Sequence, residues 1–220
     1  MGYWIAAIVI VLLIATEIII SGNRLKTVVY ELKYENLPAA FDGYAIIQLS
    51  DLHGKRFGAH NERLLRAIQK IPADAMMMTG DMIDKFQSNH ASLIRLVSKL
   101  KELAPIYYIC GNHELYLGDE AWGTLKSDLI QAGVHVLDNE KTALEKDGAS
   151  IDCYGLCVPL YNYHGMNRYY EGDTTFGTAE IRVIFGVLRS DRFTVLLAHR
   201  PILFEDYAAW GADLTLSGHV

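Results

Sequence analysis

With only three cysteines in 220 residues, the chain lacks the even, dense set that a disulfide framework requires. Cys110, Cys153 and Cys157 read as small apolar residues packed on strands, with one Cys153–Cys157 bridge or a shared metal as the alternatives. Positive charge is also scarce. Twenty Lys and Arg stand against 26 Asp and Glu, giving a net charge of −6 and a pI near 5.7. That balance offers no basic field to draw nucleic acid, so no nucleic-acid partner is expected. An acidic chain that handles phosphate must take its positive charge from a metal ion or a local arginine. Proline falls to 5 residues and the 18 glycines follow no period, which excludes collagen-like and low-complexity chains. Apolar residues are not lacking. They make up 51% of the chain, with mean hydropathy +0.13, enough for a globular core and too much for a disordered chain.

Charge is missing altogether from residues 4–15, and the apolar run continues past Thr16 and Glu17 to Ile20. At about 1.5 Å per residue, a helix over residues 2–22 is roughly 30 Å long, the thickness of a bilayer's hydrocarbon core. Glu17 lies near one end, within reach of the interface. A cleaved signal peptide wants a basic start, and residues 1–4 hold no Lys or Arg. Residues 1–22 are therefore expected to be a retained single-pass membrane anchor. Arg24 and Lys26 follow the span and nothing basic precedes it. By the positive-inside rule those two charges vote for a cytoplasmic C-terminal domain.

Residues 23–43 read as a tether, with 27–36 an edge strand or an extended segment. From residue 44 onward short apolar strands alternate with helical stretches. Strands are predicted at 44–50, 75–79, 106–110, 134–137, 193–198 and 213–216, and helices at 61–70, 93–103, 120–132 and 202–210. Asn61 is the expected N-cap of the first helix. Residues 142–156 read as a hairpin turning at Lys146-Asp147-Gly148. With no internal repeat or linker, residues 44–220 form one α/β domain. The aromatic segment 161–170 reads as a packed loop, with a lid over a substrate as the alternative.

Five segments at predicted strand ends carry metal-ligating residue types. They are S-D-L-H (Asp51, His53), T-G-D-M-I-D (Asp81, Asp84), C-G-N-H-E (Asn112, His113, Glu114), A-H-R-P (His199, Arg200) and S-G-H-V (His219). Each alone is an ordinary turn or a core histidine. Five in order at strand carboxyl ends, where open α/β sheets build their sites, are not. Carboxylate, amide and imidazole donors suit Mn²⁺, Fe²⁺ or Zn²⁺. The set exceeds the needs of one ion, and two divalent ions sharing a bridging carboxylate is the economical arrangement. Such a pair, about 3.5–4 Å apart, acidifies a water near neutral pH and clamps both oxygens of an in-line phosphoryl displacement. Glycines before Asp81, Asn112 and His219 allow close backbone approach.

The ordered set D-L-H, G-D-M-I-D, G-N-H-E, H-R-P, G-H is similar to the calcineurin-like metallophosphoesterase superfamily over residues 44–220. The flanking text F-D-G-Y-A-I-I-Q-L-S-D-L-H, P-I-Y-Y-I-C-G-N-H-E and L-L-A-H-R-P further resembles its bacterial membrane-anchored branch, with phosphodiesterase-like and UDP-diacylglucosamine-pyrophosphatase-like members. The resemblance implies a four-layer α/β/β/α sandwich of two mixed sheets. It also implies hydrolysis of a phosphodiester or pyrophosphate, lipid-linked substrates included. In it Asp51 and His53 ligate the first ion, Asp81 bridges, and Asn112, His199 and His219 ligate the second. His113 stands beside the ions as general acid or leaving-group stabiliser, oriented by an acidic partner. The family closes its site with G-H-x-H, whereas Gly218-His219-Val220 closes this sequence. The residue after Val220 is thus expected to be a His on the first ion, followed by further strands of the second sheet. A chain that truly lacks that His would be a non-catalytic metal-binding module of the same fold. Asp84 and Glu114 either orient ligating groups or serve as turn and cap residues. Arg200 either grips substrate phosphate or pairs with a surface carboxylate.

The anchor reading has a direct check. Full-length protein should sediment with membranes and resist carbonate extraction, while a chain beginning at Leu25 should remain in the supernatant.

Overall fold

The computed structural model describes residues 10–11, 16–17, 24–86, 90–160, 176–189 and 191–219. The anchor expected over 1–22 and the aromatic segment 161–170 lie outside them, save for four residues of the former. No helix among the described residues is long and apolar enough to cross a membrane.

Four short apolar runs become β1 (Ile46–Leu49), β2 (Ala75–Met78), β3 (Ile106–Tyr108) and β4 (His135–Val136), hydrogen-bonded in that order and parallel throughout. Parallel neighbours need a crossover, and helices supply each one. They are α1 (Glu62–Ile68), α2 (Ala91–Leu100), and α3 (Asn112–Leu115) with α4 (Asp119–Gln131). This sheet is therefore not mixed, contrary to expectation, because every connection carries a helix and none is a hairpin.

The second sheet is mixed. β5 (Glu140–Lys146) and β6 (Ala149–Leu156) form an antiparallel hairpin, to which β7 (Thr194–Ala198) and β8 (Leu214–Leu216) add in parallel. The two turn residues, Asp147 (φ 47°) and Gly148 (φ 81°), are both left-handed, as a two-residue type I′ turn demands. Helices α5 (Thr178–Phe185) and α6 (Phe204–Trp210) precede β7 and β8.

The period-2 alternation of strand side chains separates three cores. Met76, Met78, Ile106 and Tyr108 face α1, α2 and α4, while Ala75, Met77 and Tyr107 face the second sheet's Leu144, Ile151, Cys153, Val195 and Leu197. Tyr154, Leu156, Leu196 and Ala198 then meet Ile181, Tyr207 and Trp210 of α5 and α6. The result is the α/β/β/α layering. All four β2 residues are fully buried, which explains their unbroken apolar run.

One open alternative is decided and two local expectations need correction. Residues 27–36 form no strand, and Val29 and Tyr30 project into solvent. The tether meets the domain through Tyr34, edge-on to Phe193 at 5.0 Å, and through Asn36, whose Nδ2 donates to Asp213 at 2.7 Å. Asn61 precedes α1 but does not cap it. Its backbone is left-handed (φ 62°) and its Oδ1 accepts the Phe57 N–H at 2.9 Å, closing the preceding loop. Finally, Cys110 and Cys157 are joined in a disulfide, and Cys153 is free and buried. Four residues of extended chain span about 13 Å, too far for Cys153 and Cys157 to bridge. Cys110, just past β3, and Cys157, just past β6, instead meet where the two sheets end together.

A loop closed over 47 residues should stabilise the domain by up to about 4 kcal/mol through denatured-state entropy. Cys110→Ser or reductant should therefore lower the urea midpoint of the metal-free domain. An unchanged midpoint would show that no cross-link forms.

Candidate metal centre

In-register pairing of β1, β2 and β3 places Leu49 beside Met78 and Met78 beside Tyr108, so the segments that follow leave the sheet together. The Asp51 N–H donates to the Gly80 carbonyl (3.1 Å), the His53 N–H to Asp81 (2.9 Å) and the Gly54 N–H to Met82 (3.0 Å). From the second sheet, β7 delivers His199 and β8 delivers His219, tied by the Gly218 N–H to the His199 carbonyl at 3.1 Å. Gln48 Nε2 fastens the two sheets, donating to the Ser217 carbonyl (2.7 Å) and to Thr79 Oγ1 (2.9 Å). All seven residues expected from the sequence thus converge on one edge of the sandwich.

Their backbones are unusual. Asp51 (φ 53°), His53 (47°), Asp81 (53°) and His219 (60°) are four of the seven non-glycine residues with positive φ among the described residues. An L residue held in that region costs about 1–3 kcal/mol and persists where its surroundings over-determine it, most often at functional sites. Gly80 before Asp81 is left-handed as well (φ 91°). At Gly111 a Cβ would collide with the Asp81 side chain, so that position takes only hydrogen.

Asp81 is the centre, with 2% of its side chain exposed. Its Oδ2 lies 3.3 Å from His199 Nε2, 3.9 Å from His113 Nε2 and 4.0 Å from His53 Nε2. Its Oδ1 accepts the His113 N–H at 2.8 Å. Asp51 Oδ1 is 3.8 Å from His53 Nε2 and 4.0 Å from His199 Nε2. The Asp51 carboxylate also accepts the Ser50 hydroxyl (2.6 Å) and the His219 N–H (3.1 Å). Two clusters at this edge have donor atoms within 4.8 Å of one another: His53, Asp81 and His113, and Asp81, His199 and His219. Asp81 belongs to both. Two further atoms fit a cation. Asn112 is 8% exposed and its Oδ1 accepts no hydrogen bond, nor does the buried His53 Nδ1 make one. An orphaned buried amide oxygen is costly, and a divalent ion would satisfy it.

Burial alone would push the Asp81 carboxyl up, but the His199 imidazole and the His113 N–H and ring outweigh it and hold Asp81 below its usual range. Burial likewise disfavours charge on His199. The Asp81 carboxylate, the Thr79 carbonyl that His199 Nδ1 contacts at 2.6 Å, and Asp51 win, so His199 is raised. His219 is lowered by burial and by its neighbour His199.

His113 departs from expectation. Its Nδ1 accepts the Lys85 backbone N–H at 3.1 Å, not a bond from an acidic side chain. A ring nitrogen that accepts carries no proton, so neutral His113 holds its proton on Nε2, the atom facing Asp81. Asp84 is a turn residue, its Oδ1 accepting the Phe86 N–H at 2.9 Å. Arg200 is buried, with its carbonyl taking the Tyr207 hydroxyl at 2.8 Å.

Glu114 is cap and orienter together. Fully buried, it accepts the Gly111 N–H (2.8 Å) as the capping-box residue of α3. It also accepts the Asp81 N–H (2.8 Å), the Met82 N–H (2.9 Å) and the Tyr108 hydroxyl (2.7 Å). Burial and the Asp81 charge push its carboxyl up. Tyr108, Ser50 and Lys85 were not expected in the site. Tyr108 reads as a core aromatic, and the Lys85 contribution is a backbone N–H, which carries no sequence signal.

Comparison with known proteins adds a family. The sequence profile described as calcineurin-like phosphoesterase matches residues 44–220. The chain is 25% identical over 176 residues to the uncharacterized metallophosphoesterase YkoQ of Bacillus subtilis (strain 168), covering 79% of this chain and 59% of that one. It is 26% identical over 230 residues to a transmembrane protein with metallophosphoesterase domain from Danio rerio, covering 98% and 48%. Over 116 residues it is 27% identical to the phosphodiesterase YaeI of Escherichia coli (strain K12), covering 51% and 43%. The chain spans about half the length of these relatives.

The Asp81–His199 pair makes stability depend on pH. The raised His199 contributes fully below its ordinary value of 6.5 and loses that contribution as pH climbs through its folded value. The lowered Asp81 contributes above 3.8 and loses it as pH falls through its folded value. Their windows overlap between those limits. In metal-free protein, His199→Ala should therefore lower the urea midpoint more at about pH 5.5 than at about pH 8.5. Equal losses at both would mean that the pair carries no charge.

Proposed function

Because the chain belongs to the calcineurin-like phosphoesterase family, we propose that it is a metal-dependent phosphoric ester hydrolase, acting on a phosphodiester or pyrophosphate. The observation that carries this reading is the Asp81 carboxylate shared by two groups of donor atoms. Asp51, His53 and Asp81 would hold one divalent ion, and Asp81, Asn112, His199 and His219 the other. Bound there, the ions supply an acidified water and neutralise charge building on the phosphoryl oxygens.

The chain's own residues do the rest. Against burial, Asp81 is held below its usual range first by His199 and then by His113, and a bound cation would take over the part of the His199 charge. The Thr79 carbonyl at His199 Nδ1 (2.6 Å) turns Nε2 toward the site, the usual arrangement for an imidazole ligand. The Lys85 N–H on Nδ1 leaves the proton of neutral His113 on Nε2, where it would stabilise the departing oxygen as a hydrogen-bond donor. Arg200, on the segment following His199, is the nearest guanidinium in sequence to the ligands and would fork onto a phosphoryl group. Residues 1–22 would tether the domain to a membrane, a reading supported by the name of the Danio rerio relative. The name of the YaeI relative supports a diester, and the tether makes lipid-linked diesters the first substrates to try.

Two variants separate ligand from acid. Asp81→Asn should abolish hydrolysis of bis-p-nitrophenyl phosphate with added Mn²⁺ and release metal, since an amide cannot offset two cations. His113→Ala should keep its metal while kcat falls by roughly 10²–10⁴. If His113→Ala loses metal as completely as Asp81→Asn, His113 is a ligand and not the acid.

A further inference from the structure

Asp81 sits in a backbone conformation that its own chemistry disfavours (φ 53°), and the strand before it offers nothing to hold it there. The hold comes from across the sheet. Glu114 Oε2 accepts the N–H groups of Asp81 and Gly111, both at 2.8 Å. Its Oε1 accepts those of Met82 (2.9 Å) and Ile83 (3.4 Å) and the Tyr108 hydroxyl (2.7 Å). One carboxylate thus gathers the loop after β2 and the loop after β3. It does so with no water-exposed surface, so each N–H would otherwise be buried without an acceptor.

Tyr108 fixes that carboxylate. Its ring is fully buried between β3 and α4, roughly parallel to Trp122 at 6.4 Å. The ring cannot leave its slot without opening the first core, so the hydroxyl is a rigid donor. We infer that Tyr108 and Glu114 form a positioning pair that locks the Asp81 backbone, and that this lock sets how tightly the centre takes divalent cations. The inference rests on the function proposed above and adds to it a residue, Tyr108, that touches neither substrate nor ion.

The test uses full-chain protein and Tyr108→Phe, which keeps the ring and removes only the hydroxyl. Tyr107→Phe is the control, since Tyr107 lies on the same strand but faces the second sheet. In metal-free protein, Tyr108→Phe should speed hydrogen exchange at the amides of Asp81, Met82 and Gly111 while leaving the β2 amides protected. By calorimetry, its Mn²⁺ dissociation constant should rise about tenfold, the scale of one hydrogen bond to a charged group. Glu114→Gln, which turns an NH₂ toward one set of donors, should raise it further. Tyr107→Phe should change neither reading. Because kcat at saturating Mn²⁺ should stay near wild type in Tyr108→Phe, the defect is one of metal affinity and not of chemistry.

Unchanged exchange at Asp81 would overturn the inference. So would faster exchange with an unaltered Mn²⁺ constant, since the pair would then serve the fold alone. Wild-type protein that takes up no Mn²⁺ would instead overturn the proposed function, and the exchange rates would still decide whether Tyr108 holds Asp81.

Discussion

A buried carboxylate on a left-handed backbone does not persist unaided, and most of what surrounds Asp81 is what keeps it there. Desolvation works against its charge and sterics work against its φ of 53°. The opposing forces come from three directions. Glu114 binds its N–H, the His113 N–H binds its Oδ1, and His199 lies 3.3 Å from its Oδ2. Glu114 and His113 both belong to α3, after β3, and His199 follows β7 of the other sheet, so the centre exists only when both sheets are assembled.

The layering explains why that assembly is robust. Alternate residues of β2 and β3 fill two cores at once, and those of β6 and β7 share the second of these and fill a third. No strand can then slip by one residue without exchanging its faces. Register in turn aligns the strand ends, and alignment brings the polar segments within hydrogen-bond distance. The Cys110–Cys157 disulfide and the Gln48 bridge to Ser217 tie the same edge of the sandwich from two sides.

Electrostatics gives the centre its direction. Asp51 and Asp81 face four imidazoles, one of them raised and one lowered by the same neighbourhood. Without a cation, the Asp81 carboxylate favours the protonated form of His199. A cation ligated there would displace that proton, so metal and proton would compete for the same imidazole.

The sequence by itself determined the strands from β1 to β8, because runs such as Ala75–Met78 have no reading but a strand buried on both faces. It also determined the candidate ligands, because Asp, His and Asn at five strand ends are chemically legible one by one. What it could not determine were relations with no local signature. Thr27–Asn36 read as an edge strand or an extended segment and joins no sheet, and Asn61 looked like a cap yet closes a loop. Cys153 and Cys157 were neighbours in sequence but not in space. Glu114 could be read as a cap from its spacing to Gly111, whereas its hold on Asp81 spans 33 residues and two strands. Tyr108 carried no signal at all, for a core tyrosine and a positioning tyrosine are the same letter. Only the tertiary structure decided these, because a hydrogen bond between distant segments is set by how the sheets pack, and a sequence pattern records only what repeats along the chain.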